Sequence, residues 1–462
     1  MTLRIGIDFD NTIVNYDGLF SKVAKKLKLN LDSYPVKKES IKKKIFKKKN
    51  GLKIWQRLQG KVYGEFIANA KIFNGLKKFI IHSNLKNYKI FIISHKTHFG
   101  HYDEKKISLR KSALDFLDSK KIVNSNITGI KKKNIFFFST RRKKITHIKK
   151  LKLNFFIDDL SEVLCDKNFP TKTNKILFSN TKDDKKNIIK INNWFKIDEI
   201  INGYWSTQHL KKLSSILLKK KDILDLNQIH NGINSKVYNL KFKKNKNLIL
   251  KIYPFEDNFV SRRMRVENDS LKYLKKNNFP VPGIYKSFFE FNCSFYEFQS
   301  GKKNLKATKQ LIDQCYDFLK KLFLLSKKTK INLFPNAKEA CFNPNEICEQ
   351  IEKKFNNLLK INNKALNNFL LLEFQDLFTK FSKIVKSKLG KKFKNNISNS
   401  NRILSPSDFG LHNTLSEKNK LYFLDFEYFG WDDPIKLICD FFWHPGNNMN
   451  KKLKDRFLNK VT

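Results

Sequence analysis

The fold of the first part of this chain follows from one stretch, Leu3-Arg4-Ile5-Gly6-Ile7-Asp8-Phe9-Asp10-Asn11-Thr12. The apolar run predicts a buried β-strand, and two carboxylates, Asp8 and Asp10, follow it directly. At the carboxyl end of a strand in an open α/β sheet, both would face the ligand-binding cleft. One aspartate there is able to accept a phosphoryl group, while a second acid protonates the leaving group and then activates water.

A second pair of carboxylates stands at the end of another apolar run. Asp158 and Asp159 follow Phe155-Phe156-Ile157, which predicts a further buried strand. Mg²⁺ prefers oxygen ligands of this kind, and it offsets the repulsion between an anionic site and an anionic substrate. We therefore expect a Mg²⁺ site whose ligands come from both pairs: Asp8, Asp10, Asp158 and Asp159.

Hydroxyl and lysine side chains complete this first site. Ser94 follows the strand Ile90-Phe91-Ile92-Ile93, so its hydroxyl, with that of Thr12, is expected to bind the substrate phosphate. Lys144 begins a predicted helix, 144–151, and would stabilise the transferred charge. The adjacent Lys143 is an alternative for the same role.

The region from 1 to about 200 alternates short apolar runs with amphipathic, lysine-rich segments. This rhythm is typical of βαβ units and predicts a parallel sheet covered by helices. Residues 15–70 are an exception, because they form a long and mostly helical insertion after the first strand. The expected strands are 3–8, 89–93, 134–138, 154–157 and 175–178.

These four groups of residues, in this order along the chain, resemble the four motifs of the haloacid dehalogenase-like superfamily over roughly 1–180. The resemblance implies a Rossmann-like α/β domain with a small helical cap at about 15–70 that selects the substrate. It implies that Asp8 is the nucleophile and Asp10 the acid/base, as in the phosphatases of the superfamily. Asp158 would bind the metal with support from Asp159, Ser94 would bind phosphate, and Lys144 would neutralise charge.

The pattern changes at about residue 225. Short strands at 227–230, 235–241 and 247–253 precede a helix at 258–276 and two strands within 282–299. Helical periodicity dominates 306–395, and a β-rich patch at 402–428 follows. We therefore predict a first domain at 1–200, a connecting helix at 201–224 and a second, α+β domain at 225–462.

A second set of polar residues lies in this later region. A hairpin at 230–238 contains Gly232 and Ser235, and such a turn lets backbone N–H groups approach phosphates. The strand Leu248-Ile249-Leu250-Lys251-Ile252 carries one inward lysine, which needs a partner when buried. Glu267 on the following helix is a suitable one, as in protein-kinase-like folds, where such a pair holds nucleotide phosphates.

The last candidates lie near the end of the chain. Asp408 and Asn413 have the spacing of a kinase catalytic loop, in which the base comes first and a metal ligand second. The strand Leu421-Tyr422-Phe423-Leu424 ends at Asp425, the expected principal Mg²⁺ ligand. Phosphoryl transfer requires little beyond positioning and charge neutralisation, which these residues supply.

Residues 225–445 resemble the aminoglycoside phosphotransferase and choline kinase-like family. The closing segment Asp425-Phe426-Glu427-Tyr428 is similar to that of the family, and the stretch around Glu297 would be the hinge that binds adenine. The resemblance implies a bilobal kinase that uses ATP and Mg²⁺ to phosphorylate a small hydroxyl compound. His and Gly usually precede the catalytic Asp in this family, whereas Pro406 and Ser407 stand there, so an inactive or divergent kinase is an alternative.

The composition restricts the partners and the compartment. The net charge of +52 suggests nucleic acid, but lysine is spread along the chain with Asn, Ile and Phe, all encoded by A/T-rich codons. Genome composition therefore accounts for the charge, and a nucleic-acid partner is not expected. The six scattered cysteines, the apparent lack of a leader and the absence of any apolar stretch of ~20 residues favour a cytoplasmic protein without membrane insertion.

Together, the two sets of residues predict a bifunctional enzyme that removes one phosphate and installs another on a small molecule. A sugar phosphate that is remodelled for cell-envelope polysaccharide synthesis is the expected substrate, by analogy with similar phosphatase–kinase pairs. One alternative is a nucleic-acid end-processing phosphatase and kinase, although no G-x-x-x-x-G-K-[ST] loop is present. Another is a phosphatase joined to a degenerate, nucleotide-binding regulatory domain.

Overall fold

The structure is a computed structural model that describes residues 2–124, 126–179, 187–231, 235–244, 246–254, 262–304 and 306–461. Its chain forms two compact units, each built from more than one segment. The first unit comprises Met1–Lys246, Ile252–Ser261 and Phe288–Cys293, and the second comprises Asn247–Lys251, Arg262–Ser287 and Ser294–Thr462. Parallel and antiparallel sheets both occur, so the protein is of the mixed α/β type. The predicted domain limits stay a prediction.

The first unit contains ten strands and nine α-helices among its described residues. The strands are β1 (Arg4–Ile7), β2 (Val14–Asn15), β3 (Lys71–Ile72), β4 (Lys89–His95), β5 (Ile135–Phe138), β6 (Phe155–Asp158), β7 (Asn174–Leu177), β8 (Ile188–Lys190), β9 (Ile223–Asn231) and β10 (Lys236–Phe242). The helices are α1 (Leu19–Lys26), α2 (Lys38–Phe46), α3 (Gly51–Tyr63), α4 (Leu76–Leu85), α5 (Leu109–Ser119), α6 (Arg141–Lys150), α7 (Ser161–Leu164), α8 (Trp194–Asn202) and α9 (Thr207–Leu218).

A six-stranded sheet of order β5-β4-β1-β6-β7-β8 organises this unit. Each neighbouring pair of strands is parallel, so the predicted parallel sheet is confirmed. Its two faces are buried in two different apolar clusters: Ile90 and Ile92 of β4 lie in one, and Phe91 and Ile93 lie in the other. Alternate side chains of a strand point to opposite faces, which is why these strands are almost continuously apolar.

Capping residues account for two differences between the predicted and the observed helices. The helix predicted at 144–151 begins at Arg141, because the hydroxyl of Thr140 accepts a hydrogen bond from the Lys143 N–H. The segment 201–224, predicted as one connecting helix, instead contains the end of α8, all of α9 and the start of β9. Gly203, with φ of 67°, ends α8, and Ser206 caps α9 by accepting from the His209 N–H.

The second unit contains most of the remaining elements. Its strands are β11 (Leu248–Ile252), β12 (Ile284–Phe288), β13 (Cys293–Glu297), β14 (Lys302–Lys303), β15 (Ile403–Ser405), β16 (Thr414–Glu417), β17 (Lys420–Phe423) and β18 (Gly430–Asp432). Its helices are α10 (Arg262–Lys276), α11 (Lys309–Lys328), α12 (Pro344–Leu358), α13 (Lys364–Phe369), α14 (Gln375–Leu389), α15 (Pro434–Trp443) and α16 (Lys451–Val461). Strands β12, β13 and β11 are neighbours in that order, as are β14, β16 and β17.

Aromatic packing anchors the segment after β15 in the second unit. The ring of Phe409 stacks on that of Phe423 with centroids 5.6 Å apart, and Phe318 of α11 contacts both rings. Because Phe409 is buried, its neighbour Asp408 is held in a defined place at the end of the core.

Two further observations concern the chain as a whole. Among the described residues, no helix combines the length and the apolar character that crossing a membrane requires. The six cysteines are all free thiols.

Candidate active sites

The first site forms around Lys144 at the carboxyl edge of the parallel sheet. Lys144 Nζ lies 2.6 Å from Asp8 Oδ1 and 2.6 Å from Asp158 Oδ2. All three side chains are buried, so these ion pairs are shielded from water. Lys143, the alternative lysine, is exposed, and no contact of its side chain with these carboxylates occurs among the described residues.

Three carboxylates at this edge are spaced for one metal ion. Oxygens of Asp8, Asp158 and Asp159 all lie within 4.8 Å of one another, a donor set that suits a hard divalent cation. The pKa of Asp8 is raised to about 7, chiefly by burial; Lys144 opposes the shift, and the charges of Asp158 and Asp10 add to it. Burial likewise raises the pKa of Asp159 well above its ordinary value. A bound cation would replace the protons that such a cluster otherwise retains.

Asp10 has partners that the sequence did not reveal. Its carboxylate accepts a hydrogen bond from Tyr16 Oη at 2.5 Å and lies 3.0 Å from Lys96 Nζ. Lys96 is almost fully buried, between the rings of Phe9 and Tyr63. Lys96 stands two residues after Ser94 at the same strand end, so strand-edge reasoning could have found it, whereas nothing in the sequence links Tyr16 to Asp10.

The helical insertion at 15–70 brings two polar side chains close to these carboxylates. Burial lowers the pKa of Lys38, on α2, but Tyr63, Asp159 and Asp10 outweigh it and hold the pKa above its ordinary value. Tyr63, on α3, also contacts the ring of Tyr16, with centroids 4.9 Å apart. The insertion therefore contributes a cation and phenol groups to the first site, and its role in selecting the substrate stays a prediction.

The two predicted phosphate-binding hydroxyls are both buried near this edge. Ser94 lies within β4 and is 1% exposed. Thr12 is fully buried, and its carbonyl accepts a hydrogen bond from Trp194 Nε1 at 3.0 Å. Its hydroxyl has no partner within the part of the chain that the structure describes. Their role in binding phosphate stays a prediction.

The second site contains a buried lysine among three carboxylates. Lys251 Nζ lies 2.8 Å from Glu267 Oε2, 2.8 Å from Asp425 Oδ1 and 3.4 Å from Glu427 Oε2. Burial works to lower the pKa of Lys251, but Glu267 and the other carboxylates outweigh it. The structure thus brings together Lys251, Glu267 and Asp425, and adds Glu427. Oxygens of the three carboxylates lie within 4.8 Å of one another, which also fits a divalent cation.

Asp408 and Asn413 form the loop part of this second unit. Asn413 Nδ2 donates to the Asp408 carbonyl at 2.9 Å and to its Oδ2 at 3.2 Å. The backbone N–H of Leu424 donates to the Asn413 carbonyl, which places this loop beside the strand end that leads to Asp425. A hydrogen bond from His412 lowers the pKa of Asp408, so its carboxylate remains ionised at neutral pH and is suited to accept a proton.

Two histidines at Asp408 were missed by the sequence reasoning. His412 Nε2 lies 3.2 Å from Asp408 Oδ1, and His444 Nε2 lies 3.6 Å from the same oxygen. Their rings stack with centroids 4.3 Å apart. His412 is adjacent to Asn413, so the motif itself contained a signal for it. His444 is 36 positions after Asp408 along the chain, and only the fold brings the two together.

The remaining nucleotide-binding predictions have mixed outcomes. Gly232 lies outside the described residues. Ser235 is described, and it lines a cavity of the first unit. Glu297 Oε2 accepts a hydrogen bond from the Gly283 N–H at 3.1 Å and lies 3.5 Å from Lys275 Nζ. The nucleotide-binding role of these residues stays a prediction.

Comparison with solved structures finds proteins that are similar to about half of this chain. The chain is similar to a spectinomycin phosphotransferase in complex with ADP and spectinomycin, at 16% identity and a TM-score of 0.40 over 55% of this chain and 79% of that one. It is also similar to a choline kinase from Streptococcus pneumoniae, at 19% identity and a TM-score of 0.38 over 55% and 79%. A macrolide 2′-phosphotransferase from Brachybacterium faecium matches at 14% and 0.38 over 54% and 81%.

These neighbours are phosphotransferases and kinases, and the likeness extends over about half of the chain. No protein-family model matches the sequence, and no curated protein matches it. Because each TM-score is below 0.5, the likenesses carry no inference about activity, which has to be argued from the sites themselves.

Proposed function

We propose that this chain is a bifunctional enzyme of small phosphorylated molecules, with a Mg²⁺-dependent phosphatase site at Asp8 and an ATP- and Mg²⁺-dependent kinase site at Asp408. The observation that carries the proposal is the cluster of the buried Asp8 and Asp158 with the half-buried Asp159, in which Lys144 pairs with Asp8 and Asp158. A structural role explains this cluster poorly, because burying several carboxylates together lowers the stability of the fold. Such a cost is typical of functional sites, where the carboxylates are needed for binding or chemistry.

At the first site, Asp8 would attack the phosphorus of a phosphate ester, and the bond from phosphorus to the ester oxygen would break. Asp10 in its protonated form would donate its proton to that oxygen, which leaves as an alcohol. Asp10 would then take a proton from a water molecule that attacks the aspartyl-phosphate, so that phosphate leaves and Asp8 is restored. Mg²⁺ supplies charge neutralisation here when it is bound, and Lys144 supplies a fixed positive charge next to Asp8.

At the second site, Asp408 would accept the proton of a substrate hydroxyl. The oxygen would attack the terminal phosphorus of ATP, and ADP would leave. Lys251, held by Glu267, would bind the nucleotide phosphates, and Asn413 and Asp425 would hold Mg²⁺. The ionised state of Asp408, which its hydrogen bond with His412 favours, supports its role as the base.

We further propose that both sites act on one sugar phosphate, in the remodelling of a sugar for cell-envelope polysaccharide synthesis. A chain that joins removal and addition of phosphate is able to move a phosphate from one hydroxyl of a compound to another. The separate cap at 15–70, with Lys38 and Tyr63 near the carboxylates, supports selection of a polar substrate at the first site.

A phosphate-release screen tests this proposal. Wild type and Asp8→Asn are compared with Mg²⁺ on sugar phosphates, nucleotides and phosphorylated nucleic-acid ends, with Asp118→Asn, on an exposed residue outside the cap, as the control of equal charge. We expect release from a sugar phosphate that Asp8→Asn abolishes and Asp118→Asn preserves. Release from nucleic-acid ends alone would favour the end-processing alternative, and release that survives Asp8→Asn would contradict the phosphatase proposal.

The kinase half is tested by transfer of labelled phosphate from ATP to the dephosphorylated product. Asp408→Asn should lower the turnover of this transfer by roughly 10²–10⁴. Tight ATP binding without transfer to any acceptor would instead favour the regulatory alternative that Pro406 and Ser407 raise.

A further inference from the structure

A cavity of about 280 Å³ lies in the first unit, away from the carboxylates of Asp8 and Asp158. Helices α4 and α8, the segment after α8 and strand β10 contribute most of its wall. Its size is close to the lower end of the ~300–1,000 Å³ range of small-molecule sites. Its lining combines aromatic rings, among them Tyr204 and Trp205, with three lysines, Lys78, Lys196 and Lys236, which outnumber the two carboxylates, Asp198 and Glu199.

Lys78 is the unusual member of this lining. It is only 9% exposed, yet among the residues that the structure describes, no carboxylate or other acceptor pairs with its ammonium group. Its Nζ lies over two aromatic rings, 5.3 Å from the centroid of Phe195 and 5.6 Å from that of Trp205. A buried ammonium without a hydrogen-bond acceptor costs free energy, so a site of this kind favours an anionic occupant.

Asp198 is the acidic residue whose charge acts most strongly on Lys78, but its carboxylate oxygens make their hydrogen bonds to other side chains. Its Oδ1 accepts from Asn202 Nδ2 at 2.7 Å and lies 2.9 Å from His82 Nδ1. Its Oδ2 accepts from Trp205 Nε1 at 2.8 Å. These contacts hold Asp198 and Trp205 in place, while Lys78 lines the cavity beside them.

A second lysine strengthens the positive character of the cavity. Lys236 also lines it, and its Nζ lies 5.1 Å from the ring centroid of Tyr204. Burial lowers the pKa of Lys78, Asp198 opposes that effect, and Lys236 adds to it by repulsion. An anion between the two lysines would relieve this repulsion, and the hydroxyl-bearing residue Ser235 stands at the same wall.

We propose that this cavity binds the anionic group of a small ligand, a phosphate ester or a carboxylate, through Lys78 and Lys236. The aromatic walls suit an apolar or planar body attached to that group, because ring faces contribute contact area without further charge. This site is separate from the two proposed active sites, and its occupancy does not depend on either activity.

Fluorine NMR of protein labelled with 5-fluorotryptophan tests the proposal. The chain has five tryptophans, and Trp205→Phe identifies the resonance of Trp205. The probes are inorganic phosphate, phenyl phosphate and benzoate, in buffer without Mg²⁺. We expect at least one probe to shift the Trp205 resonance in a saturable way, and the comparison of phenyl phosphate with benzoate identifies the preferred anion.

Lys78→Met should weaken that binding at least tenfold, because it removes the buried charge and keeps the length of the side chain. Lys111→Met, on an exposed residue outside the cavity, should leave the affinity unchanged. Lys78→Met should also unfold at the same temperature as wild type without anion, or higher, since it removes an unpaired buried charge. An unshifted Trp205 resonance in wild type with all three probes would overturn the proposal, as would unchanged affinity in Lys78→Met or a lower unfolding temperature.

Discussion

Replacing Lys144 with methionine would leave Asp8 and Asp158 without their shared cation. The lost contacts are two ion pairs of 2.6 Å between buried side chains. Removing one partner of a buried pair costs about 3–5 kcal/mol, because the other charge stays buried and unpaired. We therefore expect Lys144→Met to lower the free energy of unfolding by about 3–5 kcal/mol at about pH 8 without metal.

The loss should depend on pH and on Mg²⁺. The folded-state pKa of Asp8, about 7, lies above its ordinary value of 3.8. Between these values the folded state holds a proton that the unfolded state has released, so this group's contribution to stability falls as the pH rises. Without Lys144 that pKa rises further, because an opposing cation is removed. The variant should consequently lose less stability at about pH 6 than at about pH 8, and Mg²⁺ should restore part of the loss by binding only the folded state.

Urea unfolding followed by circular dichroism, with and without Mg²⁺, measures these effects. Lys143→Met is the matched control, since it removes the same charge from the adjacent but exposed position. It should change stability by no more than about 0.5 kcal/mol. Equal losses in the two variants, or a loss in Lys144→Met that is below about 1 kcal/mol and insensitive to Mg²⁺, would refute the reasoning.

Three further outcomes are expected. Mg²⁺ affinity should rise as the pH increases through about 7, because Asp8 must release a proton before it ligates the ion; calorimetry on either side of that pH measures this, and a flat profile would speak against it. Lys251→Met should abolish binding of a fluorescent ATP analogue, since three carboxylates would then face the nucleotide phosphates, while the exposed Lys272→Met should retain it. Asp408→Asn should lower the turnover of phosphate transfer by roughly 10²–10⁴ with little change in ATP affinity, and a parallel loss of affinity would assign it a binding role instead.

The sequence was sufficient to predict much of the first site. Apolar runs ending in Asp8 and in Asp158 marked two strands, and the carboxyl ends of parallel strands meet at one edge of a sheet. The structure brings those residues together as that rule requires, since β1 pairs directly with β6. The same rule applied to Lys96 would have added the cation that contacts Asp10.

Other members of the sites were beyond such reasoning. Sequence spacing did not separate Lys143 from Lys144, because that choice depends on how α6 is rotated about its axis against the sheet. Tyr16 reaches Asp10 from the start of the helical insertion, and His444 reaches Asp408 from the end of α15. No local pattern encodes contacts of this kind, since they arise from the packing of separate elements.

The sequence by itself determined the parallel sheet of the first unit, the strand ends that carry Asp8 and Asp158, and the pairing of Lys251 with Glu267. These features follow from patterns that short stretches of sequence contain. The spacing of apolar residues predicts the strands, and a buried charge such as Lys251 needs a partner, which the next helix supplies. Only the tertiary structure decided which lysine faces the carboxylates, which histidines flank Asp408, and that Lys78 lies buried without an acceptor in the described part of the chain. Those features depend on the relative placement of whole helices and strands, which the sum of many weak packing contacts determines.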